Sequence, residues 1–146
     1  MTKQVLWLDN DAAYLRDYQD LLAEEGFEVT LATSVSEAEA CIETRRYDLL
    51  IIDVMIPTKS ETEERLYPPD RTDKGFKTGL VFYRRMKSRL DSLGSDVLVL
   101  TVRLDQDILS EFLEAGLPRE CFATKFQLRE AEAFRRKVKA VLGESD

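Results

Sequence analysis

The sequence predicts an α/β protein: one domain built on a doubly wound, five-stranded parallel sheet with helices on both faces. The chain has 146 residues, the usual size of a single domain. Short apolar runs alternate five times with segments of helical periodicity, the pattern of a (βα)5 chain. With 44% hydrophobic and 34% charged residues, the chain carries enough apolar material for a core, which excludes overall disorder.

The elements follow from the apolar runs in chain order. Strands are predicted at 5–8, 28–32, 48–53, 97–100 and 121–124, and helices at 12–25, 34–45, 78–93, 105–115 and 128–142. Ser34 followed by Glu37 forms a capping box that begins the second helix. Gly26 and Gly116 end the first and fourth helices, because glycine adopts the left-handed conformation that closes a helix.

Residues 58–78 interrupt this alternation between the third strand and the third helix. The segment has 21 residues, whereas a connection of this kind usually has about 2 to 6. Ten of the residues are charged, five of each sign, and Pro68 and Pro69 exclude a continuous helix. Two interpretations stay open: a solvated, partly mobile surface loop, or a lid or docking element for a partner.

Composition excludes several classes of function. Twenty-eight acidic and 21 basic residues give a net charge of −7, which disfavours direct binding of nucleic acid or an anionic membrane. A basic run in the last helix, 129–139, is typical of a solvated face. The chain contains no histidine, which excludes Ser-His-Asp and Cys-His catalysis and His-ligated zinc. Cys41 and Cys121 are expected to be buried, reduced thiols, and we predict a cytoplasmic protein without a signal segment.

Polar residues follow the strands at the edge of the sheet where ligands bind in doubly wound folds. They are Asp9, Asn10 and Asp11 after the first strand, Asp53 after the third, Thr101 after the fourth and Lys125 after the fifth. Carboxylate and amide oxygens on loops match a hard cation such as Mg²⁺. A carboxylate beside Mg²⁺ and an ammonium group can attack a phosphoryl donor, so Asp53 is a candidate for an aspartyl phosphate.

Four segments in this order resemble those of the response-regulator receiver domains of two-component signalling. They are Val-Leu-Trp-Leu-Asp-Asn-Asp at 5–11, Tyr-Asp-Leu-Leu-Ile-Ile-Asp-Val-Met-Ile-Pro at 47–57, Val-Leu-Val-Leu-Thr at 97–101 and Phe-Ala-Thr-Lys at 122–125. The resemblance covers nearly the whole chain, read as one receiver domain over 1–146, apart from the insertion at 58–78. It implies the flavodoxin-like receiver fold, with Gly79 similar to the glycine that follows the phosphoacceptor loop.

The resemblance also implies the roles of individual residues. Asp53 would accept the phosphoryl group, and Asp9, Asn10 and Asp53 with the Met55 backbone carbonyl would hold Mg²⁺. Lys125 would pair with the phosphoryl group. The implied phosphate source is a histidine kinase or a phosphotransfer protein, and the implied activity is a Mg²⁺-dependent self-phosphorylation with slow self-dephosphorylation rather than an enzyme's turnover.

The implied switch consists of Thr101 and Phe122. Thr101 would move to hydrogen-bond a phosphoryl oxygen, and Phe122 would report that move by changing between an inward and an outward position. A downstream protein effector would read the change on the face formed by the fourth helix, fifth strand and fifth helix of the (βα)5 pattern. Physically, an added anion of charge about −2 biases an element with two arrangements.

Three positions depart from the family pattern. Asn10 stands where a second acid is usual, which weakens a cation site; residues 9–11 could alternatively cap the first helix. Phe126 replaces the usual proline after Lys125, so this peptide bond is either trans, which resets the lysine backbone, or a strained cis bond. Val102 replaces a small residue, and its bulk suggests that attacking water is hindered and the aspartyl phosphate long-lived.

Two other functions compete with the switch. A degenerate receiver would act as a phosphorylation-independent protein-binding module, an interpretation supported by Asn10, Phe126 and the insertion. A metal-dependent phosphohydrolase would use Asp53 as its nucleophile. The residue two positions later argues against the hydrolase, since Met55 has no side-chain proton to give.

Overall fold

The computed structural model describes residues 2–102 and 105–144 and shows one five-stranded, all-parallel sheet. The strands are β1 (Lys3–Leu8), β2 (Phe27–Ala32), β3 (Leu49–Ile52), β4 (Asp96–Thr101) and β5 (Phe122–Thr124). Their order in the sheet is β2-β1-β3-β4-β5. In the register, Trp7 of β1 pairs with Leu31 of β2 on one side and Ile51 of β3 on the other. The predicted doubly wound parallel sheet is confirmed.

The helices cover both faces of the sheet. They are α1 (Ala12–Glu24), α2 (Val35–Thr44), α3 (Glu61–Leu66), α4 (Pro69–Thr72), α5 (Thr78–Leu93), α6 (Gln106–Glu114) and α7 (Ala131–Val141), with a 3₁₀ turn at Arg119–Cys121. Helices α1 and α7 pack on one face, and α2, α5 and α6 on the other. No helix in the described part of the chain has the length and apolar character that crossing a bilayer requires.

The two faces of the sheet have separate apolar cores because alternate residues of each strand point to opposite sides. Val5 and Trp7 contribute to the core beneath α1 and α7, where the Trp7 ring stacks on Phe134 at 5.5 Å between centroids. Leu6 and Leu8 contribute to the core beneath α2, α5 and α6. Helices cover both faces, which explains why the central strands β3 and β4 are nearly continuous apolar runs, whereas the edge strand β2 is mostly half-buried.

Most predicted boundaries lie within one residue of the observed ones, but β1 begins two residues earlier than predicted and the last helix three residues later. The Ser34 hydroxyl accepts a hydrogen bond from the Glu37 amide at 3.2 Å, which confirms Ser34 as the N-cap of α2; the Glu37 carboxylate accepts from the Thr33 hydroxyl at 3.0 Å. The last helix begins at Ala131 instead of residue 128, because Thr124 and Gln127 exchange two hydrogen bonds in a turn, at 2.9 and 3.0 Å.

The two cysteines are both free thiols. Cys121 lies in the 3₁₀ turn before β5 and is buried, whereas Cys41 is half-buried.

The segment 58–78 is not the solvated loop that its composition allowed. It contains helices α3 and α4, separated at Pro68 and Pro69, where the sequence excluded a continuous helix. Ser60 caps α3 by accepting a hydrogen bond from the Glu63 amide at 3.1 Å. Side chains of Glu63, Tyr67 and Thr72 are buried against the rest of the protein. The insertion is therefore a folded part of the domain.

Two contacts fasten this segment to α2. The Glu63 carboxylate accepts hydrogen bonds from the Ser36 amide at 3.1 Å and from the Lys59 amide at 2.6 Å, so a buried anion lies at the positive end of α2. The Tyr67 hydroxyl donates to the Glu39 carboxylate, which also binds Arg85 of α5 at 3.1 Å. These contacts join α3 to both α2 and α5.

Candidate functional site

The carboxyl edge of the sheet brings three distant charged residues together. Asp9, Asp53 and Lys125 each follow a strand directly, and the backbone of each extends the hydrogen-bonding of the sheet by one residue. The Asp9 amide donates to the carbonyl of Ala32 at 3.0 Å, the Asp53 amide to Leu8 at 2.9 Å and the Lys125 amide to Thr101 at 2.6 Å. The sheet thus fixes the positions of all three Cα atoms.

These residues lie at an open cleft of about 420 Å³. The cleft is lined by Asp9, Asn10, Asp11, Asp53, Met55, Val102 and Lys125. The sequence predicts six of these seven lining residues as parts of the site, and it places the seventh, Val102, next to the site. Their predicted convergence at one edge of the sheet is therefore observed, although their chemical roles stay predictions.

The Lys125 ammonium lies between two carboxylates. Its Nζ atom is 2.8 Å from Asp9 Oδ2 and 3.7 Å from Asp53 Oδ2. Asp9 is completely buried and Asp53 is 3% exposed, so water screens this group weakly. One ammonium faces two carboxylates, which leaves an excess of negative charge when both are ionised. The cluster is suited to accept a further cation.

Backbone amides orient both carboxylates. The Val54 amide donates to Asp53 Oδ1 at 2.8 Å, and the Asp11 amide donates to Asp9 Oδ1 at 2.9 Å. In each carboxylate the other oxygen faces Lys125. The Asp11 carbonyl accepts the Leu15 amide at 3.2 Å, which places Asp11 immediately before the first turn of α1. Residues 9–11 therefore begin the helix and line the cleft at once, so the two interpretations of the sequence are compatible.

The pKa of the Asp53 carboxyl is raised to about 7, because burial and the nearby Asp9 carboxylate, which both raise it, outweigh Lys125 and the amides of Val54 and Met55, which lower it. Desolvation is the largest cause, because a buried carboxyl loses the hydration of its charged form. A pKa this far above the ordinary carboxyl value marks Asp53 as a functional candidate.

The donor set fits Mg²⁺. Asp9 Oδ2 is buried and accepts no hydrogen bond of good geometry from the described residues, although Lys125 lies near it as an ion-pair partner. Asp53, Met55 and the exposed Asn10 line the same cleft, and Mg²⁺ usually takes one or two carboxylates and keeps several waters. Within 2–102 and 105–144 no three or more Asp, Glu or Cys side chains form a metal-binding group, so the predicted donor set includes the Asn10 amide and the Met55 carbonyl beside the two carboxylates.

Thr101 and Phe122 lie on the same face of the sheet. Thr101 ends β4 and is 5% exposed, and Val99, two residues earlier, pairs with Phe122 of β5. The Phe122 ring is buried 5.8 Å from the ring of Phe112 in α6. In this structure the aromatic is therefore in its inward position, with a contact to the helix that follows Thr101.

The two other departures from the family pattern have clear structural outcomes. All peptide bonds of the described residues are trans, including the bond between Lys125 and Phe126, and Lys125 still reaches both carboxylates. The Phe126 ring is 69% exposed and lies 4.2 Å from the Arg129 guanidinium, a cation–π contact. Val102 is 58% exposed at the mouth of the cleft.

Gly79 sets the distance between α5 and the backbone that follows β3. A Cβ atom at this position would lie 2.1 Å from the Asp53 carbonyl oxygen and 2.8 Å from the Val54 Cα. The Gly79 amide donates to the Val54 carbonyl at 2.8 Å. The first turn of α5 can therefore pack on the backbone that carries Asp53 only without a side chain here. In the sequence, only the resemblance to receiver domains points to Gly79; the close approach of the two backbones is visible only in the structure.

No protein-family model matches the sequence, and no curated protein matches it. Solved structures do match. A CheY-like response regulator receiver domain protein from Methanospirillum hungatei is 22% identical, with a TM-score of 0.74 over 98% of this chain and 95% of that one. The chain has the receiver-domain fold. A response regulator from Thermotoga maritima, 21% identical, has a TM-score of 0.73 over 99% of this chain and all of that one.

The receiver fold accounts for where the cleft lies. Ligands bind at the carboxyl ends of the strands in such sheets, at the point where the strand order reverses. Here that point lies between β1 and β3, because the chain adds β2 on one side of β1 and then β3, β4 and β5 on the other. Asp9 and Asp53 follow β1 and β3, so the two carboxylates occupy the binding position of the fold.

Proposed function

We propose that this protein is a phosphorylation-dependent signalling switch in which Asp53 accepts a phosphoryl group from a histidine kinase or a phosphotransfer protein. The observation that carries the proposal is the Lys125 ammonium 2.8 Å from Asp9 and 3.7 Å from Asp53, at an open cleft. A further structural neighbour, the signal receiver domain of a signal transduction histidine kinase from Syntrophus aciditrophicus, has a TM-score of 0.71 at 21% identity. It supports a role in phosphate transfer.

The transfer moves one phosphoryl group between proteins. A carboxylate oxygen of Asp53 attacks the phosphorus of a phosphorylated histidine on the donor, and the P–N bond breaks with its electron pair passing to the imidazole, which leaves neutral because its other ring nitrogen carries a proton. Lys125 then pairs with an oxygen of the aspartyl phosphate. Mg²⁺ bound by Asp9, Asp53, Asn10 and the Met55 carbonyl would neutralise negative charge on the phosphoryl oxygens.

The added group supplies the signal. A phosphoryl anion of charge about −2 needs hydrogen-bond donors, and the Thr101 hydroxyl at the end of β4 is the donor that we propose. The contact between Phe122 and Phe112 would then change on the face formed by α6, β5 and α7, which correspond to the fourth helix, fifth strand and fifth helix of the sequence pattern. A cytoplasmic protein effector reads this face, without direct binding of nucleic acid or membrane.

A small-molecule phosphodonor tests the proposal. Wild type incubated with acetyl phosphate and Mg²⁺ should gain one phosphoryl group by intact mass, and Asp53→Asn should gain none. Asp20→Asn is the matched control, because it makes the same change at an exposed position on α1. It should be phosphorylated like wild type.

One observation favours a second candidate, the phosphorylation-independent binding module. Asn10 supplies an exposed amide where a receiver cation site usually has an acid, which lowers the charge available to Mg²⁺. Absence of any adduct would point to this module. Continuous release of phosphate at enzymatic rates would instead point to a phosphohydrolase.

A further inference from the structure

A groove lined by arginines lies on the side of α5 away from the sheet. Its volume is about 490 Å³, and its lining consists of Arg71 from α4 with Val81, Arg84 and Arg85 from α5. We call it the arginine groove. It shares no residue with the acidic cleft, and the proposed phosphorylation does not use it.

The insertion builds one wall of this groove. Thr72 of α4 is buried, and its carbonyl accepts the Lys77 amide at 2.7 Å, which joins the end of α4 to the start of α5. Arg71 is thereby held beside Val81 while its own side chain stays exposed. The groove is thus a product of the folded segment 58–78.

Neighbouring acids neutralise part of its charge. Glu39 binds Arg85 through two hydrogen bonds, at 3.1 and 3.2 Å. Glu111 binds Lys77 at 3.1 Å and lies 3.9 Å from Arg84. These three cations therefore face two carboxylates.

Arg71 is the third arginine of the groove and forms no ion pair with any residue in the described part of the chain. Three groove arginines against the carboxylates of Glu39 and Glu111 leave a surplus of one positive charge, and Lys77, outside the groove lining, shares Glu111 with Arg84. The chain as a whole carries −7. The groove is therefore a local exception to the acidity of the protein.

We propose that the arginine groove binds an acidic segment of a partner protein. Guanidinium groups pair with carboxylates through two parallel hydrogen bonds, and Val81 gives an apolar floor for the stems of the partner's acidic side chains. The side chains of Arg84 and Arg85 are 48% and 37% exposed, so the groove is shallow, unlike the enclosed pockets that hold small molecules. Each exposed ion pair is weak, so the ligand needs several carboxylates in a row.

Two synthetic dodecapeptides test this proposal by fluorescence anisotropy in 0.15 M salt. One alternates Glu with Ala, and the other alternates Gln with Ala. Wild type should bind the Glu peptide and not the Gln peptide. The double variant Arg71→Gln/Arg84→Gln should weaken binding at least fivefold; Arg85 stays unchanged because it binds Glu39 and lies 5.7 Å from the Tyr67 ring.

The matched control is Arg16→Gln/Arg119→Gln, which removes the same net charge from two exposed positions outside the groove. Binding within twofold of wild type supports the groove as the site. An equal loss in both double variants would overturn the proposal, since the overall field of the protein would then explain binding. Failure of the Glu peptide to bind wild type, or its full displacement by an equal concentration of pyrophosphate, would also overturn it. Circular dichroism checks that both variants fold.

Discussion

At the scale of single residues, Asp53 is a carboxyl group on which burial and two neighbouring charges act together. Its side chain is nearly inaccessible, and the Asp9 carboxylate opposes its ionisation while Lys125 favours it. The fold therefore keeps the Asp53 carboxyl in an environment that disfavours its ionised form. Functional sites commonly show this conflict with stability.

The first prediction is that Asp53→Asn stabilises the protein in metal-free buffer at alkaline pH. Because the pKa is raised in the folded state, the folded protein binds this proton more tightly than the unfolded chain. Wild-type stability should therefore fall as the pH rises from the ordinary value near 4 to about 7. The advantage of the variant should grow by about 2 kcal/mol between pH 5 and pH 8.

Urea denaturation across this pH range measures the difference. Asp20→Asn is again the matched control, and its difference from wild type should not change with pH. A variant that is less stable than wild type at pH 8, or a difference that stays constant, would show that Asp53 carries no electrostatic strain.

The second prediction concerns Val102, which lies 58% exposed at the mouth of the cleft. We propose that its side chain obstructs the approach of water to the aspartyl phosphate. Val102→Ala should then shorten the lifetime of the adduct threefold or more, measured by intact mass after removal of acetyl phosphate. An unchanged lifetime would reject the idea, and the same substitution at half-buried Val81, outside the cleft, provides a control.

At the scale of elements, the segment 58–78 contains helices that its charged composition did not predict. A capping box begins α2, Ser34 with Glu37, and an identical pattern, Ser60 with Glu63, begins α3. The second signal was present in the sequence, but α3 is short and highly charged and lacks the apolar periodicity that identified the other helices. Its stability comes from tertiary contacts of Glu63 and Tyr67, which no local pattern encodes.

The third prediction is that Glu63→Gln loosens this segment. Burial raises the pKa of Glu63, but the hydrogen bonds from Ser36 and Lys59 outweigh it and hold the pKa below its ordinary value. The stabilising contribution of Glu63 should be complete above about pH 4.3 and disappear as the pH falls through the lowered folded-state pKa. The variant should lose about 1 to 3 kcal/mol of unfolding free energy at pH 7.

Urea denaturation at pH 7 and pH 3 tests this expectation. The loss should be smaller at pH 3, because at that pH the unfolded chain takes up a proton at Glu63 that the lowered pKa makes the folded protein resist. Glu64→Gln, an exposed neighbour in the same helix, should change stability by less than about 0.5 kcal/mol. Equal losses at both positions would contradict a special role for the buried carboxylate.

At the scale of the whole molecule, the sequence was sufficient for the fold because the central strands β1, β3 and β4 are buried along most of their length and read as nearly continuous apolar runs. It was also sufficient for the cleft, since parallel strands place their carboxyl ends at one edge. The pairing of Lys125 with Asp9 at 2.8 Å, closer than with Asp53, could not be read from it. The hydrogen bond from the Val54 amide that orients Asp53 could not be predicted either, because every residue type except proline has this backbone donor.

The central claim is that this assembled cleft makes Asp53 a phosphoacceptor. Borohydride reduces an aspartyl phosphate to homoserine, and peptide mass spectrometry then locates the modified residue. After treatment with acetyl phosphate and Mg²⁺, we predict homoserine at position 53 in wild type and none when EDTA replaces Mg²⁺. Homoserine at Asp9 or Asp11 instead, or unmodified Asp53 in a protein that remains folded, would contradict the account.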